Sequence, residues 1–169
     1  MVFKCNKMPQ TIYFYGHKTN SKYPYLSNFY KSEFMENKIL YHCSEQYFMA
    51  QKAVLMNDLD IYEKILQAET PFQCKKLGRK VKNWDQKLWN ENKCEIMFAA
   101  LYYKFYQNNK LAQELLATGD SILAEASPYD RIWGIGISIT DAESGKQWSG
   151  ENLLGKLLMK VRDTLNKNS

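Results

Sequence analysis

The order of apolar and polar positions divides the chain into a β-rich opening and a long helical remainder. Residues 11–15, Thr-Ile-Tyr-Phe-Tyr, mix aromatic and β-branched side chains and predict a strand after a loose lead-in over 1–10. Gly, Asn, Ser and Lys dominate 16–24 and predict a surface loop. At 25–30, Tyr-Leu-Ser-Asn-Phe-Tyr, two small polar residues sit between bulky apolar ones, which reads either as a turn or as a hydrogen-bonding lip to a pocket. Residues 34–41 predict a hairpin with Glu36, Asn37 and Lys38 at its tip, since Asn tolerates the left-handed backbone of tight turns.

Helical periodicity starts at Ser44, a good capping residue, and runs to about Met56. Within it Glu45, Phe48, Met49 and Lys52 fall at i, i+3, i+4 and i+7, so a carboxylate and an ammonium share one face with two large apolar side chains. A buried ion pair, an acid favoured by the helix dipole and a functional group all fit that pattern. Asn57 and Asp58 stop this helix and cap another over 59–68, with Ile61, Tyr62, Ile65 and Leu66 on one face.

Thr70-Pro71 starts a third helix carrying Lys75, Lys76, Arg79 and Lys80, either a solvated face or a phosphate site. Asn83-Trp84-Asp85 starts a fourth, expected to reach about Gln107 and to be the central scaffold, and a shorter helix over 110–118 closes at Gly119. Residues 122–126 read as a buried strand. The loop over 127–138 places Asp130 and Arg131 before Trp133, Gly134 and Gly136, glycines that suit close backbone approach to a ligand. No dinucleotide fingerprint surrounds them. A polar loop over 141–150 and an amphipathic helix over 151–165, with Leu153, Leu154, Leu157, Leu158 and Val161 inward, complete the chain.

Composition narrows this picture. At 169 residues and 45% hydrophobic, one domain over 11–166 with its own core is expected. A net charge of +5 favours an anionic partner, yet is modest for a protein whose main work is gripping duplex nucleic acid. A phosphorylated small molecule fits equally well. Cys5, Cys43, Cys74 and Cys94 form no C-x-x-C pair, and His17 and His42 complete no zinc pattern, so free thiols in a reducing compartment are expected, with neither metal nor cofactor. With no secretory apolar region and no stretch long enough to span a bilayer, the expected setting is cytoplasmic and off the membrane. Nothing here fixes an oligomeric state.

Five segments together resemble the NADAR family (NAD and ADP-ribose associated): Tyr-Leu-Ser-Asn-Phe at 25–29, Ser-Glu-Gln-Tyr-Phe-Met-Ala-Gln-Lys-Ala at 44–53, Leu-Gly-Arg at 77–79, Asp-Arg-Ile-Trp-Gly-Ile-Gly at 130–136 and Asn-Leu-Leu-Gly-Lys-Leu-Leu-Met at 152–159. The resemblance covers nearly the whole chain. It implies an α+β, mainly helical single domain with a small β-sheet or hairpin, hydrolysing an N-glycosidic bond between a heterocycle and a ribose. In the riboflavin branch the substrates are phosphoribosylamino-pyrimidine intermediates, which give ribose 5-phosphate. Other members remove ADP-ribose from guanine bases, which would make ADP-ribosylated nucleic acid a partner, and a binding module for ADP-ribose without chemistry is the reading from another class.

Breaking an N-glycoside builds positive charge at the anomeric carbon, so the site needs a carboxylate beside it and a held water. Glu45 is expected to serve both needs. Lys52 holds a phosphate, pairs with Glu45, or attacks the anomeric carbon through an imine. Asp130 orients ribose hydroxyls or protonates the departing amine. Trp133 offers a flat face to the base, with Gly134 and Gly136 letting it come close and Trp84 as a second stacking candidate. Arg79, with Lys82 or Lys75, forms a phosphate clamp, and Asn28, beside Phe29, hydrogen-bonds sugar or base.

Overall fold

The computed structural model describes residues 10–167; the lead-in and Cys5 lie essentially outside them. The fold is α+β, with seven α-helices and two small two-stranded sheets among the described residues. In chain order these are β1 (Thr11–Phe14), a 3-10 turn (Pro24–Leu26), β2 (Phe34–Glu36), β3 (Ile39–Tyr41), α1 (Ser44–Leu55), α2 (Leu59–Leu66), α3 (Pro71–Gly78), α4 (Gln86–Tyr106), α5 (Asn109–Leu116), β4 (Ile122–Glu125), α6 (Ile139–Glu143) and α7 (Leu153–Lys167). Among the described residues no helix is long and apolar enough to cross a membrane.

The helix at the centre is α1, not the longer α4. Every residue from Ser44 to Ala50 is buried, as is Ala53, so α1 has no solvated stripe over its first two turns. α2, α3 and α4 pack around it, and α4 also runs along α7. Gly78 at the end of α3 explains one close approach: a Cβ there would lie 2.0 Å from the Met49 sulfur. The helix ends follow local chemistry. Asp58 accepts from Ile61 N–H, Asp85 accepts from Leu88 N–H, and Thr70 with Gln73 closes a reciprocal capping box around Pro71. Ser44 does not cap α1; Cys43 occupies that position, and Ser44 is the first helical residue, fully buried. Gln46 spans from the hairpin to α2, accepting from His42 N–H at 2.9 Å and donating to the carbonyls of Ile65 and Leu66.

β2 and β3 pair antiparallel through a two-residue turn in which Asn37 and Lys38 both take positive φ, 48° and 66°, as a type I′ hairpin requires. β1 and β4 pair in parallel, with Phe14 opposite Glu125. The polar stretch over 141–150 is partly ordered as α6, which Ser138 caps by accepting from Asp141 N–H.

Asn152 completes β4. In left-handed conformation (φ 54°), it accepts from Glu125 N–H at 3.1 Å and donates to the Leu123 carbonyl at 2.9 Å, so a side-chain amide stands in for a neighbouring strand. Asn152→Ala leaves two β4 backbone groups unpaired and should cost roughly 2–4 kcal/mol of unfolding free energy in urea titration. A loss below the range of an ordinary surface substitution would show that the amide is dispensable.

Candidate active site

A cavity of about 560 Å³ opens where the start of α1, the face of α3, the end of β4 and the loop after it converge. Glu45, Asn28, Phe29, Arg79, Asp130 and Trp133, all singled out from the sequence, line it. So does Lys75, the alternative clamp lysine.

Glu45 is the second residue of α1 and 6% exposed. Its backbone N–H, one of the four that a helix start leaves without an internal partner, donates to the Asn28 carbonyl at 3.1 Å. The neighbouring Ser27 carbonyl accepts from the Lys104 ammonium at 2.9 Å. Lys104 is fully buried on α4 between the Tyr30 and Phe105 rings, and burial pushes its pKa down to about 7. The segment over 27–28, read from sequence as a turn or a pocket lip, is thus anchored to two helices, and Asn28 is buried with its Oδ1 unpartnered.

Burial pushes the Glu45 carboxyl up to about 7, Lys75 pulls it down, Asp130 raises it further, and Lys52 and Arg79 lower it. Lack of solvent outweighs both the cations and the favourable field of the helix start. At neutral pH Glu45 is therefore poised to take or release a proton.

Lys52 does not line the cavity or form an ion pair with Glu45. Its ammonium donates to the Gly78 carbonyl at 2.8 Å and lies 4.5 Å from the Trp84 ring centre and 5.5 Å from that of Trp89. Burial lowers its pKa, Glu45 opposes that, and Arg79 adds to it. Lys52 thereby fixes the end of α3 immediately before Arg79. Trp84, expected as a stacking face, instead covers Lys52 and is 44% exposed away from the cavity. Lys82 is exposed, and its backbone N–H is tied to Asp58 at 2.8 Å, so Lys75 is the lysine beside Arg79 at the cavity.

The two glycines serve the protein's own backbone rather than a ligand's approach. A Cβ on Gly134 would lie 2.8 Å from the Asp130 carbonyl oxygen and 2.9 Å from that of Glu125. Gly136 takes φ 72°, with Ser149 and Arg131 filling the space beside it. Asp130 Oδ1 accepts from Ile132 N–H at 2.9 Å and Trp133 N–H at 2.8 Å, which shapes the loop and leaves Oδ2 for a ligand. Trp133 packs edge-on against Phe48, ring centres 5.2 Å apart.

Several lining residues were not singled out from sequence. His17 and Phe72 join Phe29 in an aromatic rim with ring centres 5.0 to 6.0 Å apart, and Lys75 lies over Phe29. Phe72, Lys75 and Arg79 fall at i, i+3 and i+7, so the helical period could have separated this face from Lys76 and Lys80. Glu125 also lines the cavity, its Oε2 buried without a hydrogen-bond partner. A carboxylate inside an apolar strand pattern was the available signal.

A cavity lined by the buried Glu45, by Glu125 and Asp130, and by the cations Lys75 and Arg79 suits a hydrolase acting on an anionic glycoside. Comparison with known proteins gives the class a name. The NADAR domain model matches residues 13–166. N-glycosidase R617 of Acanthamoeba polyphaga mimivirus is 42% identical over 125 residues, covering 73% of this chain and 74% of that protein. Riboflavin biosynthesis protein VVA0006 of Vibrio vulnificus is 35% identical over 166 residues, covering 98% of this chain and 41% of that one. The NMR structure of the E. coli protein YbiA matches with a TM-score of 0.76 at 28% identity, covering 98% of this chain and 91% of that chain. The chain belongs to the NADAR family, and its activity is that of an N-glycosyl hydrolase.

The raised Glu45 pKa has a consequence for stability. The folded protein holds this proton more tightly than the unfolded chain, so the benefit is complete below about 4.5 and is lost as pH rises towards about 7. Glu45→Gln cannot ionise, so its melting temperature relative to the parent should rise steadily across that window. A constant difference would mean that Glu45 titrates normally.

Proposed function

We propose that the protein hydrolyses the N-glycosidic bond of phosphoribosylamino-pyrimidine intermediates, releasing ribose 5-phosphate and a pyrimidine amine. The observation that carries this reading is a buried Glu45 facing the same cavity as Lys75 and Arg79. These two cations match the charge of one phosphate monoester, and the guanidinium can hold two of its oxygens in a fork. The name of the Vibrio relative points to the same pathway.

With the phosphate on α3, the ribose lies across the mouth of α1. Glu45 then meets the anomeric carbon, stabilises charge developing there and takes a proton from the attacking water. Asp130 Oδ2 faces the ribose hydroxyls. The base is received by Trp133 and by the rim of His17, Phe29 and Phe72, where flat faces stack on a heterocycle without demanding one identity. Asn28 Oδ1 accepts from an amino or hydroxyl group that enters its pocket.

Release of ribose 5-phosphate from the pyrimidine intermediate, with no base released from ADP-ribosylated guanine nucleotide or DNA, is the expected result. The reverse pattern would assign the protein to the ADP-ribosyl branch, and tight binding of either without product would make it a binding module. Glu45→Gln should lower kcat on the order of 10²–10⁴-fold with little change in substrate affinity. For Arg79→Met, KM should rise roughly 10- to 100-fold for the phosphorylated substrate and hardly change for its dephosphorylated analogue. Equal effects on both substrates would remove the phosphate from α3.

A further inference from the structure

Glu125 ends β4 and is held from both sides. Its N–H donates to Asn152 at 3.1 Å, and its carbonyl accepts from Ile135 N–H at 2.8 Å. This rigid backbone delivers the side chain into the cavity, where Oε2 is buried with no hydrogen-bond partner. No architectural contact accounts for it. A carboxyl group needed for the fold would be paired, and one needed for nothing would be expensive to bury. Glu45 enters from α1, a different element, while Asp130 and Lys75 act electrostatically on both glutamates and so lie within reach of each.

We propose that Glu125 is a second catalytic residue, the general acid that protonates the departing nitrogen while Glu45 acts on water. The assignment rests on the N-glycoside reading above. The C1′–N bond breaks with its electron pair passing to nitrogen, which takes the Glu125 proton. Water oxygen bonds to C1′ and gives its proton to Glu45. Ribose leaves with a C1′ hydroxyl and the base as an amine; solvent exchange then returns Glu45 to carboxylate and Glu125 to acid. An amine is a poor leaving group without a proton, which is why the reaction needs a neutral carboxyl at this point. Burial supplies one: it pushes the Glu125 carboxyl up to about 8, Asp130 raises it further, and Lys75 opposes. Arg79, His17, Tyr15 and Tyr129 line the same cavity. The two glutamates thus stand in opposite protonation states within a narrow range near neutrality.

The test compares the pyrimidine amine substrate with 4-nitrophenyl riboside 5-phosphate, whose leaving group departs as a stable anion. For Glu125→Gln, an isostere of the protonated side chain, the loss of kcat on the amine should exceed that on the nitrophenyl substrate by about 100-fold or more, and the fall of kcat/KM at high pH should disappear. Glu45→Gln should lose both substrates alike. Glu125→Asp, which keeps an acid set back by one methylene, should retain the high-pH fall with a smaller selective loss, and it serves if the Gln variant does not fold. Equal losses on both substrates, or an unchanged high-pH limb in Glu125→Gln, would overturn the assignment. If the parent enzyme cleaves neither substrate while remaining folded, the N-glycoside reading falls first and this role falls with it.

Discussion

The burial of the first turn of α1 is the constraint on which the rest depends. A helix start presents unpaired N–H groups, and placing it in the interior requires something to receive them. The Asn28 carbonyl receives that of Glu45, and the Ser27 carbonyl beside it is held by a lysine that is itself fully buried. The loop over 27–29, the end of α4 and the head of α1 therefore form one polar junction inside an apolar core. Loss of any member would leave charged or hydrogen-bonding groups without water or partner, which explains why so rigid an arrangement surrounds a carboxylate that must be held accurately.

The same dryness supplies the chemistry. In water a glutamate is a weak base and a negligible acid at neutral pH. Removed from water, two glutamates on different elements reach about 7 and about 8, and the nearby cations limit the rise of Glu45 more than that of Glu125. The cavity wall thus separates functions that would be identical in solution. Lys52 contributes at a distance, since its bond to the Gly78 carbonyl and its seat under Trp84 fix the point from which Arg79 departs.

Features set by neighbours in the chain were legible in the sequence. Thr70-Pro71 opens α3, Asp58 and Asp85 cap their helices, and the tip at Asn37 and Lys38 makes the hairpin. Candidate residues from four separate segments also meet at one cavity, because family motifs mark positions rather than contacts. The placements that the sequence did not show depended on long-range packing. Gly134 and Gly136 suggested access for a ligand, yet their space is taken by backbone and side chains brought from elsewhere in the chain. Trp84 and Lys82 are near Arg79 in sequence but turn away after α3 ends, and the α3 period favours Lys75. Lys104 lies within an aromatic-rich run and gave no sign of its burial, since its partner is 77 positions away. Glu125 was hidden by its apolar neighbours, and Ser44 lost the cap to Cys43 because the chain enters α1 one residue earlier.

The central claim is that exclusion of solvent, rather than pairing with a cation, sets the protonation of Glu45. The most direct measurement is a carboxyl ¹³C NMR titration of the labelled protein, with the resonance assigned by its loss in Glu45→Gln. The account predicts a midpoint near 7. A midpoint at or below the ordinary glutamate value would show that Lys75, Lys52 and Arg79 dominate, and that Glu45 is an ion-pair partner rather than the poised base of the reaction.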